Sequence, residues 1–305
     1  MKKVLITGAS GFVGKYLIDE FLKDGYEVVA CDLTKREDSQ EGVVFEEMNV
    51  LDFEQVKSVI DRHNPNYLIN LAAISSVGAS WKIPQTTIEV NVVGTLNILE
   101  ALKENHKDCK VLLIGSSEEY EISDKPLSET NMVNANNPYG ISKVAQENFA
   151  KMYIERYGMK IVCTRSFNHT GAGQRDNFVI PSFCKQAAEI EKSGQDGTIY
   201  VGNLEIYRDF SDVKDIVYVY KKLLENENEE LIYNVGSGIA YKLSDLLDYI
   251  VSLSSQKIEI KVDPEKYRPV DNPYICCDNS KIKEHFKGTD LKQTIKEMYE
   301  YYLNN

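Results

Sequence analysis

The chain has 305 residues, 43% hydrophobic and 27% charged, an ordinary balance for a folded enzyme that excludes wholesale disorder. Its 35 basic and 47 acidic residues give a net charge of −12, so a nucleic-acid backbone is not an expected partner. No apolar run approaches the ~20 residues of a membrane span. The opening Met1-Lys2-Lys3 leads into an apolar run that Gly8, Gly11 and Gly14 interrupt, so it reads as a strand and turn rather than a leader.

In chain order, apolar runs at residues 3–7, 26–31, 43–46, 67–72, 110–114 and 160–164 read as strands. Segments of helical spacing lie between them at 13–22, 53–60, 88–102 and 139–157. Short, near-continuous apolar strands alternating with helices predict a parallel sheet covered on both faces, a doubly wound Rossmann fold of the α/β class. After about residue 166 the pattern is irregular: a loop over 167–177, helices over 178–192, 213–224, 243–253 and 291–302, and strands over 198–201, 231–235 and 257–262. A Pro-punctuated loop over 263–273 precedes the last helix, and the acidic run 225–230 reads as a solvated loop. These readings predict a dinucleotide-binding domain over 1–166 with 210–238 and a smaller α/β lobe over 167–209 with 239–305. A ligand is expected in the crevice between them, at the carboxyl ends of the strands.

The six cysteines show no C-x-x-C and no Cys/His ligand spacing, so no metal is expected and a reducing, cytoplasmic setting is. Cys31, Cys109 and Cys163 read as small buried hydrophobes, and the adjacent Cys276-Cys277 pair carries little weight as a redox couple.

Thr7-Gly8-Ala9-Ser10-Gly11-Phe12-Val13-Gly14 links the first strand to the first helix. Gly8 suits the tight turn, Gly11 the close approach of backbone to a pyrophosphate, and Gly14 close packing of helix on strand. The helix N-terminus suits the phosphate charge. Asp32, ending the second strand, can accept hydrogen bonds from the adenosine ribose hydroxyls and repels a 2′-phosphate, which favours NAD(H). Lys35 and Arg36 would partly offset that repulsion, leaving NADP(H) open.

Asn137-Pro138-Tyr139-Gly140-Ile141-Ser142-Lys143 puts Tyr139 and Lys143 on one face of a helix that Pro138 can start. A neighbouring ammonium is expected to lower the phenol from its usual pKa of ~10, making Tyr139 a general acid/base for a carbonyl/alcohol pair. The fifth strand runs out through Ile114-Gly115-Ser116-Ser117-Glu118-Glu119-Tyr120, where Ser116 can donate to a developing alkoxide. A plain polar turn is the simple account of Glu119.

With these residues the chain resembles the extended short-chain dehydrogenase/reductase family of nucleotide-sugar enzymes. TGASGFVG, NLAAISSV at 70–77, IGSSEEY at 114–120 and YGISK at 139–143 carry the likeness. Within it, RSFNHTGAGQ at 165–174, FVIPSFCKQ at 178–186, VGNLEIYRDFSDVKDI at 201–216 and YRPVDNP at 267–273 resemble the GDP-4-keto-6-deoxy-D-mannose reductases, which form GDP-D-rhamnose. GDP-mannose 4,6-dehydratases share part of that pattern.

The resemblance implies a catalytic Ser116, Tyr139 and Lys143. It implies cofactor contacts at Gly8, Gly11, Phe12, Val13, Gly14, Asp32, Asn49, Val50, Leu71, Ala72, Ala73 and Asn91, besides Tyr139 and Lys143. Ser75, Ser117 and Glu118 would line the hexose end. Asn168, Val179 and Arg208 would help hold the GDP-sugar, with Asn203 near the base and Lys185 and Arg268 at ribose or pyrophosphate. His169 is expected to be structural or to touch the cofactor, and Trp81 to stack on substrate or to pack. Asn49 stands where the family often has Asp, and Glu121 where it has Gly. The implied reaction is reduction of the C4 ketone of GDP-4-dehydro-6-deoxy-D-mannose. A 4,6-dehydratase using Glu118 as base, and more remotely a 4-epimerase, stay open; a catalytically inert dinucleotide sensor is disfavoured by the complete Ser-Tyr-Lys set. The family's paired helices, here 88–102 and 139–157, imply a homodimer.

Overall fold

The computed structural model describes residues 1–34, 40–227, 230–266 and 272–305. Lys35, Arg36 and Arg268 lie outside the described residues. The chain divides into two compact units, the first formed by Met1–Glu121, Glu129–Ser166 and Val217–Val235, the second by Ile122–Ser128, Phe167–Ile216 and Gly236–Asn305.

Through Ser166 the elements run β1 (Lys3–Thr7), α1 (Phe12–Leu22), β2 (Glu27–Asp32), β3 (Val43–Glu47), α2 (Phe53–His63), β4 (Tyr67–Asn70), α3 (Val77–Lys82), α4 (Pro84–Ile88), α5 (Gly94–Asn105), β5 (Lys110–Ser116), α6 (Pro138–Tyr157) and β6 (Ile161–Ser166). Then follow β7 (Asn168–Thr170), α7 (Val179–Ser193), β8 (Gly197–Val201), β9 (Tyr207–Asp212), α8 (Val213–Glu225), β10 (Ile232–Val235), β11 (Ala240–Lys242), α9 (Leu243–Val251), β12 (Ile258–Val262), β13 (Tyr274–Ile275) and α10 (Leu291–Asn304).

The first unit holds a seven-stranded sheet in the order β10-β6-β5-β4-β1-β2-β3, every neighbouring pair parallel. Strands such as Tyr-Leu-Ile-Asn of β4 are wholly buried, as a sheet covered on both faces requires. Leu5, Val29, Leu68 and Val111 of the sheet share a core with Val56 and Ile60 of α2 and Ile98 and Leu102 of α5. The chain builds β1-β2-β3 outward on one side, then returns to lay β4 against the other edge of β1. That reversal puts a topological switch point at the carboxyl ends of β1 and β4, where ligands of doubly wound sheets bind.

One expected helix is not continuous. A π-helical turn at Glu89–Val93 separates α4 from α5, and its Asn91 is completely buried. The Asn91 amide donates to Ser142 Oγ at 2.8 Å and to the Ile74 carbonyl at 3.2 Å, and its Oδ1 accepts from Ile74 N at 2.8 Å. Polar anchoring of one side chain at a widened turn is a recognised setting for such bulges.

In the second unit, β9 pairs with β11 antiparallel and with β13 and β7 in parallel, while β8 and β12 form a separate parallel pair. Ile180 and Phe183 of α7, Leu246 and Leu247 of α9, and Ile295 and Met298 of α10 make its core. β9 was not legible as a strand because Arg208, Asp209, Ser211 and Asp212 are polar yet buried. The Asp209 carboxylate accepts from the amides of Ser237, Gly238 and Cys277 and from the Ser237 hydroxyl, which replaces the missing apolar burial. β7 likewise lies inside the segment expected to be loop. No helix among the described residues is long and apolar enough to cross a membrane.

Candidate active site

The glycine turn is built against the switch point. Gly8 has φ +63°, and a Cβ on it would fall 2.9 Å from Ala72 N and 3.0 Å from the Leu71 carbonyl carbon. A Cβ on Gly14 would fall 2.3 Å from the Ala9 carbonyl oxygen. Two backbones thus meet where only glycine fits. Gly11 is the N-cap of α1, makes no side-chain cap, and the first turn carries no acidic residue. Phe12 and Val13 begin that helix. The result is a backbone cradle at a helix N-terminus, suited to an anionic group.

Asp32, at the end of β2, folds back on the turn: Oδ2 accepts from Ser10 N at 2.9 Å and Oδ1 from Leu33 N at 2.8 Å. Each oxygen keeps a further lone pair for a hydroxyl. Asn49 caps its own loop, its Oδ1 accepting from Leu51 N at 3.0 Å, and Val50 is buried behind it. Leu71, Ala72 and Ala73 are half-buried where β4 ends. Ser75 is exposed on the same loop, and Trp81 is exposed on α3.

Ser116 ends β5 and N-caps a 3₁₀ turn over Ser117–Glu119. Its Oγ accepts from Glu118 N at 3.2 Å, which leaves its proton to donate. Tyr139 and Lys143 lie in the first two turns of α6, which Asn137 caps by accepting from Gly140 N. Ser116, Ser117, Tyr139 and Lys143 are all buried. The Ser116 hydroxyl lies near enough to the Tyr139 phenol to favour its ionised form. The Lys143 ammonium donates to the Ile114 carbonyl at 2.7 Å and to Gln146 Oε1 at 3.3 Å, and lies 5.8 Å from the centre of the Tyr139 ring.

The electrostatics correct one expectation. Tyr139 is not lowered by its lysine. Burial raises it above the ordinary phenol value, against the Ser116 hydroxyl, and the charges of Glu119 and Glu118 push the same way as burial. Burial also lowers Lys143 to about 8. An ammonium in a site that disfavours its own charge cannot be counted on to stabilise a phenolate. Tyr139 is therefore a protonated donor at neutral pH.

Glu119 is not a plain polar turn residue: it is 1% exposed. Its Oε1 accepts from Ser116 N at 2.7 Å, completing a reciprocal capping box with the Ser116 side chain. Behind it Arg165 of β6 grips Glu147 of α6 with two bonds, at 2.8 and 2.9 Å. Sequence reasoning also missed Gln146, which sits three residues after Lys143 on the same helix face and holds both that ammonium and the Ile114 carbonyl. A buried chain from Thr7 through Asn70 to Thr95, and from Thr95 to Gln146, reaches the lysine from the glycine turn. Glu118 is half-buried, its Oε2 accepting from Asn137 Nδ2 at 2.9 Å.

The remaining expected ligand residues belong to the second unit. Asn168 is exposed on β7, and Val179 is half-buried at the start of α7. Lys185 of α7 pairs with Asp176 at 2.6 Å, and Asn203 Oδ1 accepts from Glu205 N at 3.0 Å. Arg208 of β9 is buried and donates to the Tyr207 carbonyl at 2.8 Å. His169 Nδ1 lies 3.1 Å from the Phe167 carbonyl oxygen, and burial lowers its pKa. All six cysteines are buried free thiols.

The family model of GDP-mannose 4,6 dehydratase matches residues 5–299. GDP-6-deoxy-D-mannose reductase of Pseudomonas aeruginosa is 30% identical over 88% of this chain and 85% of its own. GDP-6-deoxy-D-talose 4-dehydrogenase of Aggregatibacter actinomycetemcomitans is 32% identical over 97% of each. Among solved structures, RMD from Pseudomonas aeruginosa complexed with NADPH superposes with a TM-score of 0.86 at 26% identity, covering 100% of both chains. UDP-glucose 4-epimerase of Thermus thermophilus with NAD gives 0.88 at 26% identity, covering 98% of each. Matched along nearly its whole length, the chain belongs to the GDP-mannose 4,6-dehydratase family of nucleotide-sugar short-chain dehydrogenases/reductases.

Proposed function

We propose that the protein reduces the C4 ketone of GDP-4-dehydro-6-deoxy-D-mannose with NAD(P)H. The observation that carries this reading is the buried Ser116-Tyr139-Lys143 cluster, whose phenol keeps its proton at neutral pH. A protonated phenol beside a serine hydroxyl is an acid ready to protonate a ketone oxygen. The curated relatives most like the chain include two whose names specify GDP-6-deoxy sugars.

The glycine turn fits a dinucleotide, because the Gly8 and Gly14 contacts leave backbone and a helix N-terminus, not side chains, to meet a pyrophosphate. In that role Gly11, Phe12 and Val13 hold the phosphates and Asp32 the adenosine ribose, with Asn49, Val50, Leu71, Ala72, Ala73 and Asn91 shaping the rest of the site. Free lone pairs on Asp32 favour NADH, whereas the P. aeruginosa neighbour carries NADPH. The reduced nicotinamide, when bound, supplies the hydride to the ketone carbon. Tyr139 delivers its proton to the ketone oxygen. Ser116 donates a hydrogen bond to that oxygen as negative charge builds on it. Lys143, fixed by the Ile114 carbonyl and Gln146, orients the cofactor ribose. Ser75, Ser117 and Glu118 face the hexose, and Asn168, Val179, Lys185, Asn203, Arg208 and Arg268 hold the GDP. Binding energy from that remote group is what positions the ketone.

Replacing Tyr139 by Phe is expected to lower kcat by about 10²-fold or more while dinucleotide affinity is kept. The assay is NADH or NADPH oxidation with the 4-keto sugar, and near-normal turnover by the variant would reject the assigned acid. Relative kcat/KM for the two cofactors reads the preference, and NMR of the product distinguishes the rhamno from the 6-deoxy-talo configuration at C4. Glu118 beside Ser116 supports a second reading, a 4,6-dehydratase; turnover of GDP-mannose without net cofactor consumption would select it. A homodimer is part of the proposal, supported by apolar side chains left exposed on α4, the π turn and α6.

A further inference from the structure

Beneath the reacting side chains lies a buried acid to which the reaction above gives no task. Glu119 is 1% exposed, and its Oε2 has no hydrogen-bond partner; the nearest cation, Arg165 Nε, stands 3.9 Å away. Its Oε1 takes the Ser116 amide at 2.7 Å. The preceding residue is shaped around it: a Cβ on Gly115 would lie 2.4 Å from that same oxygen and 2.3 Å from the Thr164 carbonyl oxygen. A carboxyl in so confined a place loses hydration without gaining a full set of partners, so its retention asks for a role.

We propose that Glu119 is a positioning residue for the reduction: it fixes the Ser116 amide so that the serine hydroxyl is set toward the Tyr139 phenol, and its carboxyl, once ionised, supports the charge of Lys143. The reciprocal capping box is the first half of the argument. Ser116 Oγ is held by Glu118 N and Ser116 N by the Glu119 carboxylate, so the rotamer of the donating hydroxyl is set from both sides. Charge is the second half. The turn is packed against α6 and β6. From α6 it faces Lys143, Glu147 and Tyr139; from β6 it faces Arg165 and the neutral thiol of Cys163; Glu118 is on the turn itself, and Glu129 joins through its carbonyl to Arg165. Arg165 is engaged by Glu147 through two bonds and stands 3.9 Å from Glu119, and the Glu119 charge favours the protonated form of Lys143. Burial and the Glu147 charge lift Glu119 to about 8, the range to which burial lowers Lys143. As pH rises the acid ionises and helps the lysine keep its proton.

The inference rests on the proposed ketone reduction, and two substitutions with two readouts test it. Glu119→Leu removes the acceptor and the charge; Glu119→Gln keeps an acceptor for Ser116 N and removes only the charge. With the 4-keto sugar, the leucine variant is expected to lose kcat by about tenfold or more with KM within about twofold, and the glutamine variant to recover most of that loss. In the glutamine variant the alkaline limb of kcat should move to lower pH by about half a unit or more, because Lys143 loses its supporting anion. A folded leucine variant with wild-type kcat overturns the proposal. If leucine does not fold, an unmoved limb in the glutamine variant overturns it. A wild-type enzyme inert on the keto sugar counts against the reaction assigned above, and the second readout then decides. The Ser116 amide proton, followed by NMR from pH 6 to 9.5, should titrate in the wild type and not in the glutamine variant; a flat Ser116 signal in the wild type rejects the positioning role.

Discussion

Tyr139 and Lys143 stand one helical turn apart, yet desolvation outweighs their proximity. Both groups are pushed toward their neutral forms, the phenol upward and the ammonium down to about 8. For a reductase this is the useful direction, since the acid must arrive at the ketone carrying its proton. Glu119 is pushed toward neutrality as well, and this has a sign that stability measurements can read. Burial and the Glu147 charge lift its carboxyl from the ordinary range near ~4.3 to about 8. Between those values the folded chain holds a proton that the unfolded chain has released. The stability this group supplies is complete below the unfolded value and is lost as pH climbs through the folded one. Glutamine carries no such proton. The Tm of Glu119→Gln should therefore match the wild type near pH 5 and exceed it progressively towards pH 8, as followed by thermal unfolding in a series of buffers. A gap that is constant with pH would show that Glu119 is ionised throughout.

At the scale of elements, legibility followed whether a segment's burial was apolar. β1, β4 and β5 are buried by Val, Leu and Ile, and the alternation of such runs with helical spacing led directly to the parallel sheet. β9 buries Arg208, Asp209, Ser211 and Asp212 through hydrogen bonds, and no periodicity of apolar residues announces it. The π turn is invisible for a related reason: a single asparagine anchored by two partners breaks a helix whose apolar pattern runs on. The candidate site divides the same way. Tyr139 and Lys143 are read from spacing, and Ser116 from its place at a strand end. Glu119 and Gln146 belong to residue types that are mostly exposed, so only coordinates reveal that they lie beneath the site. The glycine turn was the most legible piece because its contacts are steric. Gly14→Ala brings a Cβ against the Ala9 carbonyl, which α1 can relieve only by moving off the turn. The variant is expected to stay folded, with dinucleotide affinity weakened by about tenfold, equivalent to ~1.4 kcal/mol. Calorimetric titration with NADH and NADPH checks this; unchanged affinity would mean that α1 does not meet the phosphates.

For the molecule as a whole, the first unit leaves apolar side chains exposed on a helical layer, which the proposed homodimer would cover. Ile88 at the end of α4, Val93 in the π turn, and Ile141 and Met152 on α6 are exposed, although α4 and the π turn pack against α6 in the same unit. A helical layer that presents apolar side chains outward after its inward face is satisfied favours a self-complementary interface, and two copies related by a twofold axis present matching faces. A dimer of 2 × 34.7 kDa, about 69 kDa, is therefore expected in sedimentation at micromolar concentration. Placing a charge at the centre of the face tests whether these helices form it. Ile141→Glu combined with Met152→Glu should shift the sedimenting species to about 35 kDa, because a carboxylate buried against its own symmetry mate is unpaired and repelled. Both side chains are exposed within the single chain, so the double variant should fold. Were it still to sediment as the dimer, the contact between copies would lie on another face.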